Sequence, residues 1–230
     1  MIYEKWKEFY YRIVEDLEIN TEEDRKAAII LQNLLEKREN KIKPEILQKI
    51  ITNRNVIVVG AGPSLLENIN KNRDLISKSI IISADGATTA LLENNIQPDI
   101  IVSDLDGRIP DQIYANRKGS IAIIHAHGDN IEKLTQYIPE FKGIIFGTTQ
   151  IDPSTFPLLH NCGGFTDGDR AVFLADHFKA KKIYLIGFDF NDEIGEYSFA
   201  AKKNKKLKMD KLRWCNYLIN SLNNSSIIFL

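Results

Sequence analysis

The chain has 230 residues, 43% hydrophobic and 27% charged, which is enough apolar material for one sizeable core or a domain with an appendage. Thirty basic against 31 acidic residues leave a formal charge of −1, which argues against a dedicated nucleic-acid surface. Cys162 and Cys215 match no metal-ligand spacing and make no disulfide framework, and no apolar run reaches membrane-span length, so a cytoplasmic protein with no membrane partner is expected.

The first fifty residues carry helical spacing. Trp6, Tyr10, Ile13, Val14 and Leu17 share one face, as do Ala27, Ile30, Leu31, Leu34 and Leu35. Between them, Asn20 is a capping residue, followed by the first-turn acids Glu22, Glu23 and Asp24. A third short helix begins near Pro44. From Asn55 the period changes to short β-branched runs at Val56–Val59, Ile80–Ile82, Ile100–Val102, Ile121–Ile124, Ile144–Phe146 and Ile183–Ile186. Strands apolar on both faces belong to a mostly parallel sheet covered on both sides. The stretches Ala87–Glu93, Asn130–Ile138 and Asp169–Phe178 have helix length and periodicity. The plan is α/β, Rossmann-like and doubly wound, with an N-terminal helical segment at 1–53, a catalytic unit at 54–195, and a basic loop, helix and short strand at 196–230.

Strand ends carry the chemistry. Gly60-Ala61-Gly62-Pro63-Ser64 follows the first strand, where Gly60, Gly62 and Ser64 suit a phosphate at a helix start and Pro63 suits the first turn. A dinucleotide fingerprint would place glycine where Leu65 stands, yet Asp85 lies where a ribose-binding acid belongs, so a nicotinamide enzyme competes. Asp85-Gly86 ends the second strand, and Asp85 suits a ribose, a metal or a helix cap. Ser103-Asp104-Leu105-Asp106 closes the third strand, and its two carboxylates suit a hard divalent cation such as Mg2+, the alternative being a capped tight turn. At the fourth strand end, His125-Ala126-His127-Gly128-Asp129 offers Asp129 as a third oxygen ligand facing Asp104 and Asp106, with a structural role preferred for either histidine. Thr148, Thr149 and Gln150 follow the fifth strand and suit base or phosphate contacts.

Further along, Asp167 and Asp169 are candidate caps and nucleotide contacts. Arg170 is unfavourable in a first helical turn and is explained either by a phosphate or by a surface pairing with Asp167. Asp189 sits between Phe188 and Phe190, an arrangement that suits a flat heterocycle held by an amino group, although both rings serve equally as core. The run Lys202–Lys208 reads as a solvated loop, with a polyphosphate clamp as the alternative.

The segments GAGPSL (60–65), ADGATTALLENNIQPDIIVSDLDG (84–107), HAHGDN (125–130), GFTDGDRA (164–171) and IGFDF (186–190) together resemble the archaeal 6-hydroxymethyl-7,8-dihydropterin pyrophosphokinases, and more distantly the thiamin pyrophosphokinases. The likeness covers roughly residues 55–190. The thiamin enzymes place a Thr-Asp acid where this chain has Gly128-Asp129, which supports Asp129 as a metal ligand. Their C-terminal all-β domain has no counterpart here, so a pterin is the expected acceptor. The resemblance implies an Mg2+-dependent diphosphotransferase using ATP as co-substrate. Asp104, Asp106 and Arg170 would be its catalytic groups, Asp104, Asp106 and Asp129 would hold the metal, and a homodimer is admitted. Related sequences in motility-associated glycosyltransferase-like proteins keep a sugar-nucleotide enzyme as an alternative, beside a non-catalytic nucleotide-binding module.

Overall fold

The computed structural model describes residues 3–191, 193–199 and 205–230. Three helices open the chain: α1 (Tyr3–Leu17), α2 (Thr21–Glu36) and α3 (Pro44–Ile51). The Asn20 side chain caps α2 by accepting the Glu22 N–H, and Pro44 begins α3, where a missing N–H costs nothing. An alternation follows: β1 (Asn55–Val59), α4 (Leu65–Lys71), α5 (Arg73–Ile76), β2 (Ile80–Ala84), α6 (Ala87–Glu93), β3 (Ile100–Ser103), α7 (Ile109–Arg117), β4 (Ile121–Ala126) and α8 (Ile131–Tyr137). The chain continues through β5 (Ile145–Thr149), β6 (Leu159–His160), α9 (Asp167–His177), β7 (Lys182–Ile186), α10 (Lys205–Ser221) and β8 (Ile227–Phe229).

Among the described residues the strands form one sheet in the order β6-β5-β4-β3-β2-β1-β7-β8, with every neighbouring pair parallel. The chain steps in one direction from β1 to β6, then crosses back to lay β7 on the other side of β1. The winding therefore reverses between β1 and β7, and all strand carboxyl ends lie along one rim.

Both faces are covered, which is why the strands are apolar throughout. Val56 and Val58 join the core with Leu47 and Ile51 of α3 and with Val172 and Leu174 of α9, while Ile57 and Val59 pack with Leu65 of α4 and Leu91 of α6. Ala27, Leu31 and Leu35 of α2 pack on Ala122 and Ile124 of β4 and Ile145 of β5. Trp6, Tyr10 and Ile13 of α1 lie against Phe173 of α9 and Leu218 of α10. The fold class is α/β, doubly wound, as the apolar runs predict.

Several elements differ from the sequence reading. β5 runs on to Thr149 because Thr148 and Thr149 pair in register with β4. Helix α7 and strand β6 carry no apolar pattern that announces them. Helix α9 begins at Asp167, two residues early, because Thr166 supplies its cap. The basic run expected over 202–208 lies outside the described residues up to position 204, and α10 starts at Lys205. Among the described residues no helix is long and apolar enough to cross a membrane.

Candidate active site at the carboxyl rim

A cavity of about 720 Å³ opens on this rim, within the size range of small-molecule sites. Its floor comes from the residues just beyond the strand ends. Asp85 follows β2 in a left-handed backbone, φ +41°, a conformation that Asp tolerates better than most residues. Two donors fix its Oδ1: the Ser103 hydroxyl at 2.9 Å and the Gln112 amide of α7 at 2.8 Å. Gly107, φ +65°, passes so close that a Cβ there would stand 2.8 Å from Asp85 Oδ2.

Asp104 follows β3. His127 Nδ1 accepts the Asp129 N–H, so its proton lies on Nε2, which donates to Asp104 Oδ2 at 3.1 Å. The other oxygen, Asp104 Oδ1, is buried and has no hydrogen-bond partner among the described residues. Asp167 opens α9, where Arg170, one turn on, donates from Nη1 to its Oδ1 at 3.1 Å. Asp85, Asp104 and Asp167 each offer an oxygen, and these oxygens lie within 4.8 Å of one another.

The electrostatics follow from that crowding. Burial, and next the charge of Asp104, pushes the Asp85 carboxyl up to about 7. The same two causes raise Asp167 well above the usual carboxylate range. Burial also opposes ionisation of Asp104, but the His127 hydrogen bond and the Arg170 and Lys211 charges outweigh it and hold that carboxyl well below its ordinary value. Burial, and next the charges of Arg170 and His127, push the His125 imidazole well below its ordinary value.

The convergence expected of Asp104, Asp106 and Asp129 is corrected by this geometry. Residues two apart share a face only on an extended strand. Here Leu105 is left-handed, φ +68°, with its side chain fully buried, so the chain turns over and Asp106 points outward to an exposed ion pair with Lys133. Asn130 ties its turn to the Asp104 and His125 carbonyls, which leaves Asp129 exposed. Both acids border the cavity without joining the group.

The remaining candidates divide. Gly60, Gly62, Gly86, Gln150, Asp167, Arg170 and Asp189 line the cavity. Pro63 and Ser64 do not: Pro63 lies in the turn before α4, and the Ser64 N–H and hydroxyl are directed to Asp189 Oδ2 at 3.0 and 2.9 Å. An aspartate of the chain itself therefore takes the place expected of a phosphate. Thr148 and Thr149 are buried within the sheet, Thr148 bonded to His125 Nδ1 at 3.0 Å and Thr149 accepting the Ile151 N–H. Asp169 is fully buried and completes the α9 capping box, accepting the Phe165 and Thr166 N–H groups at 2.6 and 2.8 Å. The Arg170 pairing with Asp167 is present, but buried rather than on the surface.

Three residues at or behind the cavity wall escape sequence reasoning. Asp24, which reads as a first-turn acid, is buried and accepts the Tyr10 hydroxyl (2.6 Å), the Gln150 amide (2.7 Å) and the Gly128 N–H (2.8 Å). Gln150 in turn accepts from Arg170 Nη2 at 3.4 Å. Gln112 sits on the unannounced helix α7. Lys211 faces the cavity from α10, its ammonium 5.9 Å from the Phe165 ring centre. No sequence signal separates these three from ordinary helix-surface residues.

Comparison with known proteins gives the following. A family model described as 6-hydroxymethylpterin diphosphokinase MptE-like matches residues 29–195. The chain is 46% identical over 230 residues to the 6-hydroxymethyl-7,8-dihydropterin pyrophosphokinase of Methanocaldococcus jannaschii, covering 95% of this chain and 94% of that protein. It is 44% identical over 229 residues to the protein of that name from Pyrococcus furiosus, covering 98% and 96%. A third, from Methanothermobacter thermautotrophicus, is 44% identical over 193 residues, covering 84% and 81%. Among solved structures, the MAf glycosyltransferase of Magnetospirillum magneticum aligns with a TM-score of 0.47 at 20% identity, covering 65% of this chain and 25% of that one. With a family model spanning most of the sheet and relatives matched nearly end to end, the chain belongs to the 6-hydroxymethylpterin diphosphokinase MptE-like family.

Proposed function

We propose that this chain moves the β,γ-diphosphate of ATP to the hydroxymethyl oxygen of 6-hydroxymethyl-7,8-dihydropterin, with Mg2+ required and AMP as second product. The observation that carries this reading is the meeting of Asp85, Asp104 and Asp167 in a cavity also lined by Arg170 and Lys211. The names of the three relatives support the choice of acceptor.

In this reaction the acceptor oxygen bonds to the β-phosphorus and the bond from that phosphorus to the α,β-bridging oxygen breaks. The hydroxyl proton is released, and AMP leaves with the bridging oxygen. Such transfers need positioning and charge neutralisation more than covalent help from the protein. The carboxylates fit a hard cation: the donors are all oxygen, and Asp104 Oδ1 is buried without a partner among the described residues. Asp85, Asp104 and Asp167 would hold the ion, which when bound offsets phosphate charge. Asp106 and Asp129 belong to the rim. His127 orients Asp104, Ser103 and Gln112 orient Asp85, and Arg170 and Lys211 face the phosphates with positive charge. The buried, free cysteines agree with a cytoplasmic setting.

The test is incubation with ATP, Mg2+ and the hydroxymethyldihydropterin, with nucleotides and pterins separated afterwards. Equal amounts of AMP and pterin diphosphate, both requiring acceptor and metal, are expected. ADP as the product, or AMP formed equally without the pterin, would contradict the reading.

A further inference from the structure

The winding of the sheet reverses between β1 and β7, and in open α/β sheets ligands gather at such a point. Asp189, just past β7, stands there. Its Oδ2 accepts the Ser64 N–H and hydroxyl, while no hydrogen bond to its Oδ1 and no cationic partner occurs among the described residues. Gly62 leaves room for this carboxylate: a Cβ there would collide with Asp189 Oδ2. Phe188 and Phe190 flank it, ring centres 6.4 Å apart and inclined at 59°, and all three residues line the cavity. The geometry points to Asp189 as the residue that holds the pterin ring, by its 2-amino group and N3–H, with the ring stacked on Phe188 or Phe190. This rests on the function proposed above and adds the acceptor's place to it.

The choice among ligands comes from hydrogen-bonding pattern. An ionised carboxylate only accepts. The 2-amino and N3–H groups of a pterin are two donors side by side on one planar edge. Adenine places its amino group beside a ring-nitrogen acceptor, which a carboxylate repels. Phosphate is also repelled, so the polyphosphate lies toward Arg170 and Lys211. A ribose diol offers two donors but no flat face for the flanking rings.

Asp189→Asn keeps an oxygen for Ser64 and removes the second acceptor. The probe is oxidised 6-hydroxymethylpterin, followed by its own fluorescence, with ATP binding measured in parallel and near-ultraviolet circular dichroism as a check on the fold. Wild type should bind the pterin at least about tenfold tighter than 6-hydroxymethyllumazine, which replaces the 2-amino donor with a carbonyl. In Asp189→Asn pterin binding should weaken about tenfold or more, the preference over lumazine should largely vanish, and ATP binding should stay within threefold. Equal wild-type affinity for pterin and lumazine would overturn the proposal without any variant. So would unchanged pterin binding in Asp189→Asn, or a loss confined to ATP, the signature of a ribose contact. If Asp189→Asn fails to fold, Phe188→Leu and Phe190→Leu are made separately: at least one should weaken pterin binding selectively, and no loss in either would overturn the proposal. A wild-type protein that neither binds nor converts the pterin refutes the enzymatic reading itself, whereas conversion without dependence on Asp189 refutes only this subsite.

Discussion

Asp85 has its carboxyl pushed up to about 7 from 3.8, first by burial and then by the neighbouring Asp104 charge. A group that binds its proton more tightly in the folded state stabilises the fold below its unfolded pKa, and that contribution is lost as pH rises through the folded value. The metal-free protein is therefore expected to lose stability between about pH 4 and pH 7 through this residue. A cation binds the ionised form and reverses the loss. Scanning calorimetry should show Mg2+ raising the melting temperature more at about pH 8 than at about pH 6, and equal increments would contradict the assignment of Asp85 to the ion. Arg170 lies on the opposite side of the balance. Arg170→Met should lower kcat/KM about a hundredfold or more, since among the described residues no other side chain bonds both Asp167 and Gln150. An effect within threefold would remove it from the phosphate site. At this scale the sequence identified most participants but not their grouping. Asp85, Asp104, Asp167 and Arg170 are all legible as strand-end or helix-start residues, yet the left-handed Leu105 that separates Asp106 from Asp104 has no signature in residue type. Leucine is among the last residues expected in that conformation.

Among the elements, a buried carboxylate helps to tie the N-terminal helices to the site. Asp24 of α2 holds Tyr10 of α1, the Gly128 turn after β4, and Gln150 after β5. Asp24→Ala leaves three donors unsatisfied in a buried place, and urea unfolding should show a loss of about 2–4 kcal/mol. A loss below about 0.5 kcal/mol would mean these bonds do not hold the helices to the rim. The elements that were legible were those built on apolar spacing: the strands, buried on both faces, and helices such as α2. Helix α7 was not, because Gln112 and Asn116 occupy buried positions of its inner face and are held there by hydrogen bonds from their amide N–H groups rather than by packing alone. A polar residue with a partner is indistinguishable in sequence from a polar residue facing water. The same blindness hid the threonines of β5, which read as a loop and lie in the sheet.

For the molecule as a whole, parallel strands put every β-to-α turn on one rim, and residues from positions 85, 104 and 167 meet there although they are far apart in sequence. The order of elements predicts such a rim. Which acids reach its centre depends on helix α9 lying across β1 to β3, a packing choice that local pattern does not encode. The same cavity is lined by the cations Arg170 and Lys211, from α9 and α10, and by Asp189, which accepts the Ser64 N–H before α4. The measurement that bears most directly on this arrangement is a Mn2+ titration followed by electron paramagnetic resonance, with wild type, Asp104→Asn and Asp106→Asn side by side. One tight ion per chain is expected in the wild type, retained within a few-fold in Asp106→Asn and lost by at least about a hundredfold in Asp104→Asn. Tight binding that survives in Asp104→Asn, or that disappears instead with Asp106, would contradict the carboxylate group on which the site is built.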